Sequence, residues 1–191
     1  VTSGIRSELL SAIAKGDTGA FEQLYDESSS LLFTLAFRIL GTREETEELL
    51  QDVYAEVWRK IVRYDPARGT PTAWLVTLTR SRAIDRIRAR NTRGHTVTDS
   101  MEDTSALEQP DGAPSPFDSR ADRELRDTVG HALQDLPPAQ REALELAYYD
   151  GLSHAEIATK LNQPLGTVKT RIKLGMDKLK AVLRPCWEAS V

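Results

Sequence analysis

The chain has 191 residues, 40% hydrophobic and 28% charged, with a net charge of -4, the composition of an ordinary globular protein of one or two domains. No apolar run approaches the ~20 residues needed to cross a bilayer, and VTSGIRSELL lacks an apolar core behind positive charge, so no direct membrane insertion and a cytoplasmic location are expected. Cys186 is the only cysteine, which excludes an internal disulfide and leaves too few soft ligands for a structural zinc; no cofactor is expected.

Helical periodicity dominates and no alternating β-branched stretch stands out, which predicts an all-α fold. Asp17 suits the N-cap of a helix with Phe21, Leu24 and Tyr25 on one face, and Leu31 to Leu40 is a denser apolar segment ending at Gly41. Thr42 and Glu45 match a capping box, opening a helix to about Ile61. Its stripe of Leu50, Val53, Tyr54, Val57, Trp58 and Ile61 faces a core, and the opposite face presents Glu45, Glu48, Gln51, Asp52 and Glu56. The helix dipole accounts for Glu44, Glu45 and Glu47 in and near the first turn, but not for Asp52 and Glu56. YDPARG, Tyr64 to Gly69, is a turn; Thr70 then caps and Pro71 opens a helix with Trp74, Leu75 and Leu78 early and arginines late. Arg82, Arg86, Arg90 and Arg93 fall at i, i+4, i+8 and i+11, one stripe able to track a phosphate backbone.

From Gly94 to Ser119 there is no lysine or arginine, six acids occur, and Pro110, Pro114 and Pro116 fall within seven residues. Low hydrophobicity and uniform negative charge predict a flexible acidic linker, assigned to 94–120, between small helical domains over 1–93 and 121–191. Helical periodicity returns from Asp122 through Leu125, Val129, Ala132, Leu133 and Leu136; Pro137 and Pro138 end that helix, and another runs through Leu144 and Tyr148 to Gly151. In SHAEIATKL, Ser153 and Glu156 fit a second capping box, with Ile157, Ala158 and Leu161 as the apolar face. Asn162 to Pro164 then break the helix, and NQPLGTVKTRIKLGMDKLK continues as a basic amphipathic helix on Val168, Ile172, Gly175, Met176 and Leu179.

Two short helices joined by a tight turn, the second basic, form a helix-turn-helix, whose second helix fits the major groove. Thr167, Lys169, Thr170 and Arg171 are the candidate readers, with Lys173 and Ser153 beside them. An αα-hairpin used only for packing is the alternative at this point. Charge segregation favours the DNA reading: Arg80 to Arg93 and Gly166 to Arg184 each carry +5, leaving -14 on the remainder. Two basic patches on an acidic body point to two contacts with a polyanion.

The ordered set GDTGAFEQLYDE, EETEELLQDVYAEVW, YDPARGTPTAWLVTLTRSRAIDRIRAR and LPPAQREALELAYYDGLSHAEIATKLNQPLGTVKTRIKLGMDKLK resembles the extracytoplasmic-function (ECF) sigma factors, small initiation subunits of bacterial RNA polymerase. The resemblance implies a first domain that binds core RNA polymerase and opens promoter DNA at the minus-ten element, and a second that grips the minus-thirty-five element. The acidic row, with Glu48, Gln51, Asp52 and Glu56 as the candidate core contacts, would oppose polymerase and not DNA, and the resemblance places Gln51 and Asp52 where the family contacts the clamp helices of the largest polymerase subunit. It places minus-ten contacts on Arg68, Thr70, Trp74, Arg80, Ser81, Arg82, Arg86 and Arg90, where flipped bases and backbone of a melted strand would be held. Trp74 is open between core and DNA. Ser81 stands where many members have asparagine, and Trp74 is nearly alone where larger sigma factors carry several aromatics, which implies weaker melting and a closer promoter match. An anti-sigma factor is an expected partner by the same analogy.

Two rivals fare worse. A LuxR-type regulator shares the final helices, but its sensor or receiver domain calls for features that the first ninety residues lack. A carboxylate metal enzyme calls for Glu-x-x-His pairs, which His95, His131 and His154 do not make. No enzymatic activity is expected.

Overall fold

The computed structural model describes residues 5–94 and 128–188, with backbone alone for 92–94 and 185–188. The acidic linker expected over 94–120 lies, from residue 95 onward, outside the described residues, as does the start of the helix expected from Asp122. All regular elements among the described residues are helical. The chain divides into two compact units, one within 3–117 and the other within 118–191.

In the first unit α1 (Ser7–Ile13), α2 (Thr18–Leu40), α3 (Arg43–Lys60) and α4 (Pro71–Gly94) follow in order, with 3-10 turns at Ile61–Arg63 and Pro66–Arg68 before α4. Asp17 caps α2 by accepting from the Ala20 N–H at 3.0 Å, and the apolar segment Leu31 to Leu40 continues the same helix. Gly41 ends it in the left-handed region at φ 83°, which costs glycine little and lets its N–H reach Phe37 O. α2 packs against both α3 and α4. Leu24, Leu32, Ala36, Val53, Val57, Leu75 and Ala83 lie fully buried in that packing, each larger side chain contributing on the order of 1.5–3 kcal/mol. Ser28 and Tyr54 cross the α2–α3 interface as a buried polar pair: Ser28 donates to Leu24 O at 2.6 Å, and its oxygen meets the Tyr54 hydroxyl at 2.7 Å. Burial pushes the Tyr54 hydroxyl pKa well above its ordinary value despite that bond.

The α3 stripe is buried as expected save for Trp58, which is 39% exposed and lies edge-on to Phe21 at 5.1 Å. The Thr42–Glu45 capping box does not form: Thr42 is the N-cap, but its side chain makes no capping bond, and the Glu45 carboxylate turns toward α4 instead. In α4, Thr79 is fully buried with a hydroxyl that meets no partner among the described residues. Burying a hydroxyl without compensation costs on the order of 1–3 kcal/mol, so Thr79→Val is expected to stabilise this unit by about 1 kcal/mol. A thermal midpoint unchanged or lowered would show that the hydroxyl is satisfied.

The second unit contains α5 (described over 128–134), α6 (Pro138–Tyr148), α7 (His154–Lys160) and α8 (Leu165–Glu188). Pro138 opens α6, where its missing N–H has no intrahelical acceptor. Ala132, Leu136, Ala143, Leu144, Ile157 and Val168 form the core. Gly175, expected only as part of an apolar face, is the point of closest approach: a Cβ there would lie 2.6 Å from Leu144 Cδ1, so the absence of a side chain lets α8 seat against α6. Met176 departs from its expected place and is 41% exposed.

Candidate nucleic-acid interface

The α7–α8 pair is built by local signals. Ser153 accepts from the Glu156 N–H at 3.3 Å while Glu156 accepts from the Ser153 N–H at 2.7 Å, completing the capping box. Asn162 takes the left-handed conformation at φ 49°, and Gln163 N–H returns to Ala158 O, closing the turn. Pro164 stands one residue before α8, its carbonyl accepting from Val168 N–H. Val168 anchors α8 in the core, leaving Lys169, Thr170 and Lys173 exposed and Thr167 and Arg171 half-buried. Arg171 donates to Gln163 Oε1 at 3.3 Å, so the turn itself orients this candidate reader. The Ser153 hydroxyl is already engaged as a cap.

In the first unit the 3-10 turn carrying Arg68 is closed by Asp65, which accepts from Ala67 N–H at 3.0 Å. Tyr64 braces the same loop by donating to Gly69 O at 2.9 Å, and its ring lies 5.7 Å from that of half-buried Trp74. The Thr70 hydroxyl caps α4 by accepting from Ala73 N–H at 3.2 Å. Arg68 and Ser81 are exposed, and Arg80 is half-buried.

The arginine stripe of α4 and the acidic face of α3, predicted to serve different partners, meet each other. Arg82 binds Glu56 with two prongs, Nε to Oε2 at 2.8 Å and Nη2 to Oε1 at 2.7 Å. Arg86 reaches Asp52 Oδ2 at 2.7 Å, Glu48 Oε2 at 3.3 Å and Glu45 O at 3.2 Å, and Arg90 reaches Glu45 Oε2 at 3.3 Å. The rungs run in opposite order along the two helices, as the antiparallel pair requires. The carboxylates are not equivalent. Glu48 and Asp52 are each 73% exposed, whereas Glu56 is 12% exposed and also accepts from Lys60 Nζ at 2.7 Å. Gln51 is exposed beside Asp52.

Comparison with known proteins decides what this arrangement belongs to. Sigma-70 region 2 matches residues 24–93, and Sigma-70, region 4 matches residues 126–179. Over 182 residues the chain is 37% identical to the ECF RNA polymerase sigma factor SigK of Mycobacterium sp. (strain KMS), covering 92% of this chain and 89% of that one. The chain belongs to the ECF sigma factors. SigK of Mycobacterium ulcerans (strain Agy99) is 36% identical to this sigma factor over 189 residues, 95% of this chain and 93% of that one. Among solved structures, Rhodobacter sphaeroides SigE in complex with the anti-sigma ChrR is 30% identical, with coverage of 91% of this chain and 95% of that one and a TM-score of 0.46. As a sigma factor, the protein binds core RNA polymerase and directs initiation at promoters through their minus-ten and minus-thirty-five elements.

Within the sigma factor, the α3–α4 ladder changes how its charges read. Hydrogen bonds from Arg82 and Lys60 hold the Glu56 carboxyl down from 4.5 to about 2. A folded-state pKa below the unfolded one means that the Glu56 contribution to stability is complete above pH about 4.5 and is lost as the pH falls toward 2. Acid unfolding followed by circular dichroism should therefore show a shallower loss across that window in Glu56→Gln than in the wild type; superimposable slopes would remove Glu56 as the source. Sequence reasoning missed Lys60 and the pairing of Glu45 with Arg90. Lys60 was legible as the i+4 neighbour of Glu56, whereas Arg90 lies 45 residues from Glu45 and no local pattern joins them. Among the described residues no helix is long and apolar enough to cross a membrane, and no group of three or more His, Cys, Asp or Glu side chains could hold a metal.

Proposed function

We propose a division of labour in which Glu48, Gln51 and Asp52 dock core RNA polymerase. Arg68, Thr70, Trp74, Arg80, Ser81, Arg82, Arg86 and Arg90 then line the minus-ten contact, and Ser153, Thr167, Lys169, Thr170, Arg171 and Lys173 the minus-thirty-five contact. The domains would be 1–93 and 121–191, with 94–120 as the strap between them. The observation that supports the docking assignment most is the 73% exposure of both Glu48 and Asp52, which leaves carboxylate oxygens open to a basic partner while repelling phosphate. The minus-thirty-five assignment is supported by the exposed row of Lys169, Thr170 and Lys173 beside buried Val168 on a helix-turn-helix.

On this reading the protein acts in the cytoplasm as a binding subunit without catalysis of its own. An anti-sigma factor covering the DNA-binding units would keep it silent, as family membership suggests. Reconstitution tests the whole: core polymerase with the protein should initiate at a matched promoter, and the protein alone should bind duplex DNA weakly. Equal transcription with and without the protein would remove the reading.

A further inference from the structure

We propose that Glu56 is a positioning residue for Arg82 and not a docking residue, so that it acts on promoter opening while leaving polymerase affinity alone. The inference rests on the minus-ten role given to Arg82 above and deepens it. Both Glu56 oxygens are occupied, Oε2 by Arg82 Nε and Oε1 by Arg82 Nη2 and Lys60 Nζ, all within 2.7–2.8 Å. A carboxylate only 12% exposed, with three of its roughly four acceptor sites filled by charge-assisted bonds, has little left for a protein partner. Its neighbours Glu48 and Asp52, at 73% exposure, are the contrast that separates the two duties along one helix face.

The chemistry at Arg82 is the complement. A guanidinium carries five N–H groups in a planar fork. Glu56 takes one on Nε and one on Nη2, and Asp85 is approached more loosely by Nη1 at 3.4 Å. N–H groups on both terminal nitrogens remain, and the side chain is 38% exposed. The Glu56 bond fixes the plane of that fork before DNA arrives, so the ordering of a long side chain is already complete on binding. Lys60 shares the Glu56 charge, so the Glu56 carboxylate does not by itself cancel the Arg82 cation, and with the looser Asp85 contact the local cluster is balanced at zero.

The test uses the full chain assembled with core polymerase on a matched promoter. It compares wild type, Glu56→Gln, Arg82→Gln, the double variant and Arg82→Lys. Core affinity is read by competition, opening by permanganate reactivity of unpaired thymines, and folding by thermal midpoint. Glu56→Gln should keep core affinity within about twofold and reduce opening roughly tenfold, the factor set by re-imposing the rotamer freedom of one arginine. In the Arg82→Gln background the Glu56→Gln change should add nothing. Arg82→Lys, which keeps the charge but cannot make the two-pronged bond, should resemble Glu56→Gln; a purely structural role would move the midpoint without this pattern. Core binding weakened tenfold by Glu56→Gln, additive losses in the double variant, or full opening by Arg82→Lys would each overturn the proposal. Failure of the wild-type holoenzyme to open the promoter would instead overturn the reading beneath it.

Discussion

Asp52→Lys is expected to weaken assembly with core RNA polymerase by about 30-fold or more, the consequence of the 2–5 kcal/mol typical of disrupting a charge pair at a protein interface. Asp52 stands on the solvent face of α3, 73% exposed, with one oxygen on Arg86 at 2.7 Å. Lysine there would place a cation beside Arg86 and oppose a basic partner. The internal cost is small, because an exposed ion pair contributes only about 0–1 kcal/mol. The thermal midpoint should therefore move by a few degrees at most while assembly fails. DNA affinity of the free chain should not fall, since a negative charge has been removed near the arginine stripe. Core affinity retained in a folded Asp52→Lys protein would shift the docking surface away from this face.

Gly175→Val is expected to unfold the second unit or to lower its stability by about 1–3 kcal/mol, the usual range for overpacking a filled core. The first added carbon would fall 2.6 Å from Leu144 Cδ1 and 3.5 Å from Gln140 Cβ, and Leu144 is itself buried, so either Leu144 is forced to repack or α8 slides or tilts. The propensity gain from removing a glycine in a helix is at most about 1 kcal/mol and smaller for valine, which leaves overpacking as the winning effect. Displacement of α8 would carry Lys169, Thr170 and Arg171 with it. Protection of the minus-thirty-five element in footprints should be lost, while core affinity, assigned to α3 in the proposed division of labour, should stay within about twofold. Gly130→Ala is the control: nothing lies within 4 Å of its Cβ position in α5, so alanine should stabilise by up to about 1 kcal/mol. A stable, footprinting Gly175→Val would mean that the α6–α8 interface has room that the packing denies.

Much of the framework was legible because the signals act within a few residues of the chain. Asp17, Gly41, Thr70 with Pro71 and the Ser153–Glu156 box each end or begin a helix through bonds to neighbours at most four positions away, and all do so in the fold, whereas Pro138, expected to help end the preceding helix, opens α6. The helix-turn-helix is readable for the same reason, since Asn162 turns the chain by its own backbone conformation. Apolar periodicity likewise picked out Leu24, Val53, Val57, Ile157 and Val168, because any helix with one buried face must repeat at its own pitch.

Tertiary structure decided how faces were shared. Thr42 and Glu45 had the sequence of a capping box, yet Glu45 is drawn to Arg90 across the interface, a partner that no local pattern names. Trp58 and Met176 fit their stripes by number but sit at the margins, where rotation of a helix by a fraction of a turn decides between core and solvent. Sequence alone established two basic segments and an acidic face. That the arginines of α4 close upon the carboxylates of α3, leaving Glu48 and Asp52 outward and Glu56 inward, follows only from the antiparallel packing of the two helices, because opposite charges pair by proximity in space and not along the chain.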